Sequence, residues 1–158
     1  MLNRKTLVKI ISWIPVILWM FLIYTSSAQV ADDSNELSKG ITQSIVETVE
    51  SIIPGNDISV DNLNYLIRKS AHFFTYLILA LLVLNAVRKS RIYGIKSFTI
   101  SLGICVLYAI SDETHQLFVP GRGGQATDVL IDTSGAMLGI GIYGFTSRMK
   151  YSNKANQK

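Results

Sequence analysis

The sequence predicts an all-α membrane protein with four transmembrane helices and an extracytoplasmic amphipathic helix between the first and the second. Three observations carry that prediction. Apolar residues are blocked into four runs, at about 7–24, 71–87, 97–111 and 128–146. Such runs suit membrane spans better than a water-soluble core, which would spread its apolar residues at helical spacing. The mean hydropathy of +0.33 is high for a chain with 16% charged residues. Finally, charge is segregated. All 11 acidic residues lie in segments that alternate with those holding Arg4, Lys5, Lys9, Arg88, Lys89, Arg91, Lys96, Arg148, Lys150, Lys154 and Lys158. Only Lys39, Arg68, Lys69 and Arg122 share the acidic side. Basic excess in short loops marks the cytoplasmic face. Both termini and the basic loop 88–96 are therefore expected inside, and segment 28–70 outside.

Each element has its own justification. The first run carries Trp13, Trp19 and Tyr24, which suit an anchored helix with interfacial aromatics. At about 18 residues it exceeds the apolar region of a signal peptide, so an uncleaved span is expected. Asp33-Ser34-Asn35-Glu36 fits a helix cap. Ile41, Ile45, Val49 and Ile52 then recur at helical spacing, up to a stop at Pro54-Gly55. This amphipathic helix should bury that apolar face on the outer membrane surface or against the bundle, with Glu47 and Glu50 turned away. Asp61 or Asn62 starts a helix that runs into the second span. The third span is short if it ends at Ser111 and of normal length if it continues toward Val119. In the fourth, Gly135 and Gly139 have the spacing that lets helices approach closely in lipid. The whole chain, 1–158, reads as one membrane domain.

Composition also excludes functions. The net charge of +4 comes from residues beside the spans, where they orient the protein and meet lipid head groups, so no nucleic-acid role is expected. Cys105 is the single cysteine, which rules out an internal disulfide and a cysteine-based metal site.

The chemistry gathers at the outer ends of the last three spans. Arg68, Lys69, His72 and Tyr76 lie at the second, with Arg68, His72 and Tyr76 sharing a helix face at i, i+4, i+8. The third ends with Asp112, Glu113, His115 and Gln116. Its face is expected to hold Tyr108, Asp112 and His115 or Gln116, with Glu113 pointing elsewhere. Arg122 follows in a Pro-Gly-Arg turn, and the fourth span opens with Asp128 and Asp132. Ionisable groups at membrane depth are costly and usually pair or line a site. A polar pocket of these eleven residues is therefore the candidate site. Interhelical ion pairs that merely fix the bundle are the competing explanation. No cofactor and no metal are expected. His72, His115 and Asp112 would be the ligand set if a metal were present.

These residues also carry a resemblance. The segments Arg68–Tyr76, Tyr108–Arg122 and Asp128–Ala136, with Gly139, resemble the VanZ-like family of small bacterial membrane proteins. The ordered combination Lys-x-x-His, Asp-Glu-x-x-Gln and Pro-Gly-Arg carries it, over about residues 7–146. The resemblance implies a multi-pass protein of the bacterial plasma membrane and an association with teicoplanin resistance. It transfers a location and a phenotype class, not a reaction. The expected role is a cell-envelope protein whose outer pocket binds a lipid-linked cell-wall precursor or a glycopeptide, with the lipid bilayer as its constant partner. The alternatives are a membrane hydrolase or transferase using the Asp/Glu/His cluster, and a small transporter acting as an oligomer. No metalloprotease helix, nucleophile elbow or phosphate loop supports the enzyme.

Overall fold

A computed structural model of the chain describes residues 3–29, 39–48 and 60–155, with side chains described as far as Ser147. It is all-α. Helix α1 is Arg4–Ser27, α2 covers 39–48, α3 is Val60–Lys89, α4 is Ile95–Gln116 and α5 is Ala126–Ala155. Four of these, all but α2, are long and apolar enough to cross a membrane.

Helix α3 is the hub. It packs against α1, α4 and α5, and α1 also touches α4. Its buried stripe is Tyr76, Leu79, Ala80, Val83, Ala86 and Val87, the three- and four-residue spacing of one helix face. Val16 and Ile23 of α1, Cys105 and Ala109 of α4, and Ala136 of α5 complete the core. The large apolar side chains on the other faces stay uncovered by protein, as Ile17, Phe21, Leu107 and Leu130 do. Such surface is stable against lipid tails and would be costly against water.

The closest helix pair is α3 with α5. A Cβ at Gly135 would overlap the Phe73 carbonyl, and one at Gly139 would come 2.7 Å from the carbonyl oxygen of Leu77. These two glycines therefore let the backbones meet, as their spacing predicts.

Helix α4 continues past Ser111 through the polar motif and ends at Gln116, with Leu117 as its cap. Its 22 residues are about 33 Å long, enough for the hydrocarbon core of about 30 Å. The extension toward Val119 is thus realised to Gln116, and residues 117–119 form turns. Helix α3, at 30 residues, is about 45 Å long. It begins about two turns before Arg68, as expected of a helix that starts above the membrane.

The described residues of the bundle do not cover the apolar face expected for α2. Within 39–48 the buried residue is Thr42, with Val46 half-buried, while Ile41 and Ile45 are exposed. Hydropathy marks an apolar face but does not say whether protein or lipid covers it. Val49 and Ile52, the Asp33–Glu36 cap and the Pro54-Gly55 stop lie outside the described residues.

Candidate functional site

At one end of the bundle, α3, α4 and α5 bring their ionisable residues together; this is the acidic end. Lys69 of α3 is ion-paired with Asp128 of α5, and its ammonium also donates to Gln125 Oε1 at 3.3 Å. One helical turn deeper, His72 Nδ1 faces Asp132 Oδ1 at 3.3 Å. Asp132 is fully buried, and its second oxygen, Oδ2, has no partner among the described residues. The two layers follow from the i, i+3 step of Lys69 and His72 opposite the i, i+4 step of Asp128 and Asp132.

Helix α4 adds Asp112, Glu113 and Gln116, all buried. Glu113 Oε2 accepts the backbone N–H of Gln125 at 2.7 Å. Gln116 Nε2 donates to Ser27 Oγ of α1 at 2.8 Å and, more weakly, to Glu113 Oε1 at 3.4 Å. Two expectations about this helix are corrected. Glu113 points into the cluster, and His115 does not. The His115 ring is half-buried beside Tyr24, with ring centroids 4.5 Å apart. The reason lies in the helix register. The packed stripe of α4 is Ser97, Ser101, Cys105 and Ala109, and four more residues along it is Glu113. That ladder of small residues was the sequence signal for the correct face. Tyr108 turns toward α1 and donates to the Met20 carbonyl at 2.5 Å.

Arg122 sits in the turn between α4 and α5. Pro120 precedes Gly121, which holds a positive φ of 75°. Gly124 in the same turn passes so close to α4 that a Cβ there would come 2.5 Å from the Glu113 carbonyl oxygen. Arg122 Nη2 donates to the Ser26 carbonyl at 3.4 Å, while its buried Nε has no partner among the described residues. Partial burial and then the neighbouring Arg68 lower the guanidinium from its ordinary value, and Asp112 and Glu113 pull it back. It remains charged at neutral pH, because an arginine starts so far above that range.

Two cavities open at this end. One, of about 190 Å³, lies between α1 and α3 and is lined by Ser26, Ser27, His72, Tyr76 and Asp112 among others. The second, of about 320 Å³, is lined by Asp61, Asn64, Lys69, Gln116, Gln125 and Asp128 among others. Arg68, His72 and Arg122 line both. Ten of the eleven candidate residues thus meet around these cavities and their ion pairs, and His115 is the one displaced. Ser26, Ser27, Asn64 and Gln125 take part without having been singled out in the sequence. Each is a common polar residue at a helix end or in a turn, where its presence needs no special reason.

The fold and site define a class: a multi-pass, all-α membrane protein with a buried, ion-paired polar centre at one end of its bundle. The chain belongs to the VanZ/LLP1 family, whose model matches residues 12–147. That match includes every residue of the polar centre. No curated protein and no solved structure matches the chain.

Proposed function

We propose that the protein acts in the bacterial cell envelope by binding an anionic, lipid-linked ligand at the polar centre, with the acidic end facing outward. The observation that carries this reading is the pair of cavities sharing Arg68, His72 and Arg122, with Arg122 Nε buried and unpartnered among the described residues. A guanidinium with a spare donor recognises phosphate or carboxylate. The shared wall lets one head group contact both cavities. The flanking helices carry exposed apolar side chains, beside which a lipid tail can lie. Both termini and the Arg88–Lys96 turn are then cytoplasmic by the positive-inside rule. Family membership extends the reading to drug response. A lipid-tailed glycopeptide of the teicoplanin type concentrates at the outer leaflet, where this centre would hold the drug or its lipid-linked target.

The test is inhibitory concentration in a susceptible host that expresses the protein at a measured membrane level. Teicoplanin should lose potency more than vancomycin. Arg122→Gln should remove the effect without lowering the membrane level. Unchanged potency for every glycopeptide would end the antibiotic reading, and a fully active Arg122→Gln would end the anion-binding one.

A further inference from the structure

We propose that His72, Glu113 and Asp132 form a binding site for one divalent transition-metal ion of the zinc type. One residue comes from each of α3, α4 and α5, and one ligand atom from each lies within 4.8 Å of the others. This set keeps His72 from the one suggested by residue type alone and replaces His115 and Asp112 by Glu113 of α4 and Asp132 of α5.

Geometry supports the assignment. Zinc–nitrogen and zinc–oxygen bonds of about 2.0–2.1 Å at tetrahedral angles place neighbouring ligand atoms roughly 3.3–3.4 Å apart. His72 Nδ1 and Asp132 Oδ1 are 3.3 Å apart, so one edge of the coordination shell is already formed. The remaining edges are no longer than 4.8 Å.

A second observation is independent of the clustering. Asp132 is fully buried, yet its Oδ2 has no partner among the described residues. Leaving a carboxylate oxygen dry and unbonded is costly, and a cation beside it removes that cost. The outer contacts fit as well. The Gln125 N–H and the Gln116 amide hold the Glu113 carboxylate, as residues around a metal site orient its ligands. One imidazole and two carboxylates suit zinc or manganese and not a soft ion such as Cu(I). Three protein ligands leave a coordination position open, and His72 lines both cavities, from which an anion or water could reach the ion. The assignment stands apart from the ligand reading above, since the ion is tested alone.

The experiment uses the full chain, free of any affinity tag, in detergent. Zinc chloride is titrated calorimetrically and the bound metal counted by elemental analysis. Cobalt(II) absorption reports the coordination geometry. One equivalent should bind, with cobalt giving a low-symmetry visible spectrum. His72→Gln, Glu113→Gln and Asp132→Asn should each weaken binding by roughly 100-fold or more, beyond the 10- to 100-fold typical of outer-shell changes. His115→Gln should retain it. The proposal is overturned if monodisperse wild-type protein takes up no stoichiometric metal, a result that needs no variant to fold. Folded Glu113→Gln or Asp132→Asn binding as well as wild type, or loss in His115→Gln equal to that in His72→Gln, would also overturn it.

Discussion

Replacing Lys69 by Met should cost the protein about 3–5 kcal/mol of stability, the usual penalty for leaving one member of a buried ion pair behind. The pair is enclosed: the Lys69 and Asp128 side chains are 13% and 9% exposed. With the ammonium gone, Asp128 keeps its place in the first turn of α5, where the helix dipole contributes at most about 1 kcal/mol. Gln125 has no positive charge to offer in exchange. The net loss corresponds to between two and four decades in the folding equilibrium. The double replacement Lys69→Met with Asp128→Leu removes both charges and should recover most of that loss, because an apolar pair of similar size does not require desolvation of ions. Exchanging the two residues should recover part of it. Unfolding in mixed detergent–dodecyl sulfate micelles supplies the assay. The emission of Trp19, whose indole N–H donates to the Thr75 carbonyl at 3.0 Å, reports separation of α1 from α3. A loss below about 1 kcal/mol in Lys69→Met would match a solvated surface pair and refute the enclosed geometry.

Gly135→Ala should separate α3 from α5 and destabilise by about 1–3 kcal/mol or more, whereas Gly141→Ala, with nothing near the added Cβ, should be neutral. Equal melting of the two in detergent would argue against close backbone contact. For orientation, single cysteines at positions 92 and 56 on a Cys105→Ser background are treated with an impermeant reagent on intact cells. Labelling at 56 and not at 92 is expected, and the reverse would invert the proposed topology.

Much of this architecture is legible in the amino-acid sequence. Four apolar runs of spanning length and charges sorted between alternate loops report a solvent constraint that acts on each segment separately. The Gly135/Gly139 spacing is likewise local, since small residues one turn apart create a groove whichever helix fills it. The polar centre was legible as a set because Arg68–His72, Asp112–Gln116 and Asp128–Asp132 fall at the same ends of consecutive antiparallel spans. Its internal pairing was not. Lys69 could have met either aspartate, and Arg68 could have taken its place.

What the sequence by itself determined is therefore the class, the number of spans and the level at which charge gathers, all consequences of the hydrophobic effect along one chain. The tertiary structure decided which face of each helix is covered. It turned Glu113 inward and His115 toward Tyr24, because α4 packs on its stripe of small residues and not on its most apolar side. It covered Thr42 and left Ile41 and Ile45 open. The physical reason is common to both cases. A bilayer solvates apolar side chains as well as a protein interior does, so hydropathy no longer distinguishes inside from outside. Only close packing between helices makes that choice.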